Sequence, residues 1–394
     1  MLSSRVRQII PSATMELSTK VEELKRAGVN VIDFSLGEPD FNTPENVIKI
    51  CKKAMDDGFT KYTAVGGIRK LRETICKKLR QDNNAFYEPD NIVVSTGAKQ
   101  ALYNSIMALV DPGEEVIVLT PCYVSYIEMI KLAGGIPVLV PNYEDEGFQL
   151  NIEGIKQSIT AMTKAVIINT PNNPTGAVYT EERLKELGKL AVENNFFIIS
   201  DEVYEKLVYG NTSHICIASL NKEIYNHTIL INGLSKSCSM TGWRMGYSAA
   251  PLHISKAIGK LQGHMTTNIT SFVQIASIEA LANCENEIEF MRKEYEKRRN
   301  YMLERLRALE GIKCANADGA FYLMPNVSYY YGKKLNGNII NNSNDFCNYI
   351  LEQANVVLVP GLAYESPDNI RISYANSMAN LTEGVNRIEK ALKL

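Results

Sequence analysis

Between residues 90 and 250 the chain passes through seven short, nearly all-apolar stretches rich in β-branched residues, at 92–95, 116–119, 136–140, 165–169, 196–200, 228–231 and 245–249. Polar or turn residues bound each one. Helical spacing of apolar positions fills most of the intervals, notably Ala98–Leu109, 123–133 and 181–193. A strand with one wet face alternates polar and apolar residues, whereas these runs are continuous, so both of their faces are covered. Buried strands alternating with helices predict an α/β fold built on a mostly parallel sheet. The step from 231 to 245 is too short for a crossover helix, and an antiparallel pairing is expected there.

The flanks read differently. A polar arm leads into a helical run at 16–27 that stops at Gly28, then a strand at 29–34 and a glycine/proline loop at 35–41. Pro44 is placed to open a helix running toward Asp57, with Thr43 as its cap. Beyond residue 285, Ile288, Met291, Tyr295, Met302 and Leu306 mark one face of a long charged helix that Gly311 ends. Strand-like segments follow at 312–315, 320–324 and 370–374, and the Asn-rich stretch 336–344 reads as a surface loop. The expected organisation is a large domain at 46–285, whose seven-stranded, mostly parallel sheet lies between helices. Residues 1–45 and 286–394 would form a smaller α+β domain.

Composition narrows the class. With 394 residues, 42 basic against 44 acidic side chains and a net charge of -2, the chain carries no overall charge that would draw it to nucleic acid or an anionic membrane. Residues 1–35 are too short and too weakly basic for a DNA-binding helix-turn-helix. The eight cysteines are scattered without a C-x-x-C pair, which argues for reduced, mostly buried thiols rather than a zinc framework or disulfide scaffold; no metal is expected. The N-terminus lacks the apolar core of a secretory signal, and no apolar run approaches a membrane span. A cytoplasmic location is expected.

The unusual residues gather where the apolar runs end, the edge at which open α/β sheets bind ligands. After 92–95 comes Thr96-Gly97-Ala98-Lys99, a glycine turn opening a helix, whose free amides suit a phosphate or merely connect two elements. After 116–119 comes Tyr123, able to stack on a flat ring or to lie half-buried at a helix start. After 165–169 comes Asn169-Thr170-Pro171-Asn172-Asn173-Pro174-Thr175-Gly176, a turn whose Asn173 amide suits a ligand oxygen. After 196–200 comes Asp201-Glu202-Val203-Tyr204: Asp201 is either a helix cap or the partner of a buried cation. After 228–231 comes Gly233-Leu234-Ser235-Lys236, and eight residues on Arg244 stands beside Trp243, the chain's only tryptophan. An amine able to form an imine and a planar guanidinium able to hold a dianion together suit pyridoxal phosphate. Arg371, between apolar neighbours, answers either an internal acid or a substrate carboxylate.

Tyr123, Asn173, Asp201, Lys236, Arg244 and Arg371, in that order, resemble the class I aminotransferases, the fold-type-I pyridoxal phosphate enzymes, and most nearly their bacterial aspartate aminotransferase-like branch. Pro11-Ser12-Ala13-Thr14, Gly37-Glu38-Pro39-Asp40, Tyr62-Thr63-Ala64-Val65-Gly66-Gly67 and Asn173-Pro174-Thr175-Gly176 extend the resemblance over nearly the whole chain. The resemblance implies that Lys236 binds the cofactor's aldehyde and moves the substrate proton. It assigns Gly97, Ala98, Lys99, Ser235 and Arg244 to the phosphate, Tyr123 to the ring face, Asp201 to the ring nitrogen, and Asn173 with Tyr204 to the phenolic oxygen. Arg371, Asn173 and Gly37 would hold the α-carboxylate, with Thr14 near the entrance. Tyr62 would reach the phosphate of the neighbouring subunit's site, making a homodimer necessary. Met107 and Tyr126 are candidates for apolar or aromatic surroundings. The implied activity is ping-pong transamination between an L-amino acid, aspartate or glutamate first, and a 2-oxo acid. Aromatic amino acid, alanine or prephenate amination and a C–S β-lyase on the same scaffold are the alternatives.

Overall fold

The computed structural model describes residues 2–10 and 13–393. Its centre is a seven-stranded sheet: β1 Ile92–Thr96, β2 Glu115–Thr120, β3 Ile136–Pro141, β4 Thr163–Asn169, β5 Phe197–Asp201, β6 Thr228–Gly233 and β7 Met245–Ala249. In space the order is β1-β7-β6-β5-β4-β2-β3. Strand β7 runs antiparallel to both neighbours, and the other four pairings are parallel. The short step before β7 therefore reverses the chain, as its length requires.

Period-two alternation sends successive strand residues to opposite faces of the sheet. Val116, Val118, Ala165, Ile167, Ile199, Ile229 and Ile231 pack on one face with Ala101, Leu102 and Ile106 of the helix Ala98–Leu109. Ile117, Leu119, Val166, Ile168 and Ile198 pack on the other with Leu184, Leu187 and Ala191 of the helix Glu181–Asn194. Burial on both sides explains why the strands carry so little polar alternation. The exception is β3, a sheet edge holding Pro137 and Pro141, where a missing N–H costs no ladder bond.

The N- and C-terminal segments meet: Ile32–Asp33 pairs in parallel with Val356–Val357. A small antiparallel sheet orders Val359–Pro360, Ile370–Ser373 and Tyr322–Leu323, with Arg371 on its middle strand. The helix Glu285–Arg307 buries Ile288, Met291, Tyr295, Met302 and Leu306, the expected face.

Four local expectations give way. Thr43 does not cap the helix Glu45–Asp56, whose N-cap is Pro44 with no side-chain bond; its hydroxyl is engaged elsewhere. Residues 312–315 make only an isolated bridge, Lys313 to Asn326. The Asn-rich stretch forms a tight hairpin, Lys334–Leu335 against Asn338–Ile339, and then Asn342 caps the helix Ser343–Ala354. Only Ile32–Asp33 of the 29–34 run is strand.

Candidate active site

A cavity of 410 Å³ opens at the C-terminal edge of the sheet, where the turns leaving β1, β2, β4, β5 and β6 converge with the residue preceding antiparallel β7. The loop at 35–38 and the strands carrying Tyr322 and Arg371 close its other side.

Lys236 sits on the turn after β6, its amine partly open to the cavity. Its Nζ donates to the Gly37 carbonyl at 2.5 Å, and the Tyr204 and Phe321 rings stand 5.8 Å away. Burial pushes the ammonium down to about 8; Arg371 and Arg244 add to this, while Glu38 and Asp201 oppose it. An amine so tuned gives up its proton near neutral pH.

Asp201 ends β5, its carboxylate buried. The Tyr126 hydroxyl donates to Oδ2 at 2.8 Å and the Val203 amide to Oδ1 at 3.4 Å. Burial raises its pKa to about 6 against those two bonds. No regular helix starts here, so the capping alternative falls. Among the described residues no cation comes within ion-pairing distance, and the carboxylate keeps unused acceptor capacity.

Arg371 is 3% exposed. Its Nη1 donates to Asn173 Oδ1 at 3.2 Å and its Nη2 to the Ser35 carbonyl at 2.5 Å, while Nε has no partner. The Tyr322 and Tyr364 ring centroids lie 4.5 and 5.1 Å from the guanidinium carbon. Among the described residues no carboxylate lies within ion-pairing distance, which removes the internal salt bridge that the sequence allowed. Asn173 is held by its own turn: Asn169 Oδ1 accepts the Asn173 amide at 2.7 Å, and Asn169 Nδ2 donates to the Asp201 carbonyl at 2.9 Å.

On the opposite wall Gly97 N-caps the helix Ala98–Leu109 with φ +79°. The first amides of a helix lack intrahelical partners. A Cβ at Gly97 would strike the Arg244 guanidinium, and one at Gly246 would overlap the Ala98 amide. Helix start, arginine and β7 therefore approach as closely as bare glycine backbone permits. Ser235 lines the same region, and the Lys99 ammonium stands 5.4 Å from the Tyr123 ring.

The cavity thus gathers Gly37, Ala98, Lys99, Tyr123, Asn173, Asp201, Tyr204, Ser235, Lys236, Arg244 and Arg371, with Gly97 directly behind. Tyr62 lies outside it, 88% exposed. The segment bearing Tyr62 is nevertheless pinned: Ser271 donates to the Phe59 carbonyl at 2.8 Å and Gln274 to the Thr63 hydroxyl at 2.9 Å. The Thr14 side chain and residues Pro11 and Ser12 fall outside the described residues. Met107 is 37% exposed and does not line the cavity, so it contributes nothing to this chain's own pocket.

Sequence reasoning missed Tyr322, Tyr364 and Asn169. The Tyr322 hydroxyl meets the Tyr204 hydroxyl at 2.8 Å. No local signal in the sequence marks it: the fold places Ser373 opposite Tyr322, which brings the tyrosine beside the arginine strand.

The model of the family "aminotransferase class I and II" matches residues 29–388. Aspartate aminotransferase from Geobacillus stearothermophilus is 45% identical over 392 residues, covering 100% of this chain and 99% of the relative. A probable aspartate/prephenate aminotransferase from Aquifex aeolicus is 44% identical over 394 residues, covering 100% and 98%. Among solved structures, aspartate aminotransferase from Thermus thermophilus with maleate superposes with a TM-score of 0.94 at 39% identity, covering 99% of both chains. That from Rhizobium meliloti gives 0.96 at 36% identity, covering 100% and 98%. The catalytic-looking edge of this sheet therefore has a family: the chain belongs to the class I and II aminotransferases.

Proposed function

We propose that the chain uses pyridoxal phosphate to move an amino group between an acidic L-amino acid, aspartate or glutamate, and a 2-oxo acid. One observation carries this reading: a single cavity holds a buried guanidinium, Arg371, with no acid beside it among the described residues and a buried carboxylate, Asp201, with no cation beside it among them. Leaving both uncompensated is costly, and ligands that supply the missing charges remove the cost. An α-carboxylate answers Arg371 and a protonated ring nitrogen answers Asp201.

The residues present fit the cofactor. The Gly97–Lys99 backbone and Arg244 suit its phosphate, Asp201 its ring nitrogen, Asn173 and Tyr204 its phenolic oxygen, Tyr123 its ring face and Lys236 its aldehyde. When bound, pyridoxal phosphate supplies an aldehyde that condenses with amines and a cationic ring that accepts electrons from the α carbon. Arg371 grips the α-carboxylate through two parallel N–H bonds and so fixes the α C–H direction. Lys236, its amine lowered to about 8 by burial, would take the proton from the donor's α carbon in the first half-reaction and give one to the α carbon of the new amino acid in the second. Tyr322 and Tyr364 wall the guanidinium from water. Donor and acceptor use the same carboxylate fork, so the first product leaves before the second substrate enters, and the kinetics are ping-pong.

The choice of an acidic substrate rests on Lys99. Its backbone would serve the phosphate, while its side chain lines the cavity with the ammonium 5.4 Å from the Tyr123 ring and in no ion pair among the described residues, available to a side-chain carboxylate. Several relatives are named aspartate aminotransferases, and the Thermus neighbour was solved with maleate, a dicarboxylate. Tyr62, exposed on a segment tied down at Phe59 and Thr63, is assigned in this reading to the phosphate of a second copy's site across a homodimer.

A panel of amino donors against 2-oxoglutarate, oxaloacetate and pyruvate tests the reading. Aspartate with 2-oxoglutarate should give the highest kcat/KM, and Lys236→Ala should bind the cofactor without turning over. Ammonia release without a 2-oxo acid, or undiminished turnover by Lys236→Ala, would refute it.

A further inference from the structure

The loop that carries Arg244 is built on two left-handed residues that are not glycine: Ser239 at φ +51° and Arg244 itself at φ +56°. Such backbone persists only where its surroundings over-determine it. The bracing comes from a residue almost two hundred positions away. The Thr43 hydroxyl donates to the Ser239 carbonyl at 2.7 Å and accepts the Trp243 indole N–H at 2.9 Å. One hydroxyl thus spans the loop from its first left-handed residue to the neighbour of its second. A hydroxyl can donate once and accept at the same time, and here both capacities are used. A second tie runs alongside: Thr241 Oγ1 donates to Glu38 at 2.9 Å, and the Thr241 carbonyl accepts Arg244 Nη1 at 2.8 Å.

We infer that Thr43, acting through Trp243 and Ser239, is a positioning residue that sets the Arg244 guanidinium against the helix start at Gly97. The tolerance there is small, since Gly97 lacks room even for a methyl group beside that guanidinium. A loop that relaxes by a fraction of an ångström would retain the arginine and lose its aim at a phosphate. The same bracing explains why the chain's one tryptophan sits next to this arginine: its indole N–H is the donor that closes the span. The inference rests on the pyridoxal phosphate reading and adds to it a residue of the N-terminal segment.

Thr43→Val keeps the shape and removes both bonds, whereas Thr43→Ser keeps the hydroxyl. Equilibrium titrations with pyridoxal phosphate and with phosphate-free pyridoxal, followed by Trp243 fluorescence, separate the alternatives. Thr43→Val should bind pyridoxal phosphate about tenfold more weakly, the scale of one charge-assisted contact between a misaimed Arg244 and the phosphate lost, with pyridoxal binding unchanged and Thr43→Ser restoring the parent affinity. Trp243→Phe, titrated by visible absorbance, should show the same selective loss and covers the case in which Thr43→Val fails to fold. Equal loss for both ligands, or none for pyridoxal phosphate, would overturn the inference. If the parent protein binds pyridoxal but gains nothing from the phosphate, the phosphate cup itself is wrong; if it binds neither, the cofactor reading falls and takes this inference with it.

Discussion

Asp201→Asn offers a test in which the sign of the effect should reverse when the cofactor is added. The substitution removes the charge and keeps the shape and an oxygen for the Tyr126 hydroxyl. In the cofactor-free protein the Asp201 pKa rises from 3.8 to about 6 because the carboxylate is buried. That is about two units, or about 3 kcal/mol at 1.36 kcal/mol per unit. The folded state therefore holds its proton more tightly than the unfolded chain. Stability from this group is full well below pH 4, falls as pH rises toward 6 and stays low above it. Asparagine has no proton to lose. The stability difference, variant minus parent, should therefore grow by about 2 kcal/mol in favour of the variant between pH 4 and pH 7, the rest of the change lying below pH 4. Urea unfolding of both cofactor-free proteins at the two pH values measures it. Added pyridoxal phosphate should invert the order, because its ring nitrogen supplies the cation that Asp201 lacks. The parent should then be stabilised more than the variant, and turnover by the variant should fall by about two orders of magnitude or more, the scale seen when a preorganised electrostatic contact is removed. Parallel pH curves for the two cofactor-free proteins would show that the carboxylate is not desolvated as placed, and the argument from an uncompensated acid would fail.

Two further outcomes follow from the same geometry. Arg371→Lys keeps the charge and loses the fork, so KM for amino acid and oxo acid should both rise, and kcat/KM should fall about 10- to 100-fold, while pyridoxal phosphate binds normally; steady-state kinetics beside a cofactor titration would reveal a cofactor defect instead, which would refute the carboxylate role. If Tyr62 serves a neighbouring subunit's site, mixing Lys236→Ala with Tyr62→Ala subunits should regenerate one intact site per hybrid dimer and, with random pairing, about a quarter of the parent activity; activity no greater than the sum of the separate variants would place Tyr62 elsewhere.

The sheet was legible because its strands are covered on both faces, and such burial leaves a mark in consecutive residues: Val116 to Leu119 or Ile229 to Ile231 need no knowledge of their neighbours to read as core. The chemistry at the strand ends was legible for the same local reason, since a polar residue directly after a buried strand stands at the sheet's edge. What stayed open in the sequence was always a question about the partner. Thr43 before Pro44 has the local form of a cap, and only the fold reveals Ser239 and Trp243 sharing its hydroxyl, one as acceptor and one as donor, across about 200 residues. Asp201 could cap a helix and Arg371 could close a salt bridge; the first alternative fell because no regular helix starts after Asp201, the second because no carboxylate lies within ion-pairing distance of Arg371 among the described residues. Tyr322 lay inside a strand-like run that looked like core, and core it is, yet its hydroxyl reaches Tyr204 and its ring faces Arg371. Periodicity reports whether a side chain is buried. It does not report what the side chain is buried against, and in this cavity the second question separates packing from binding.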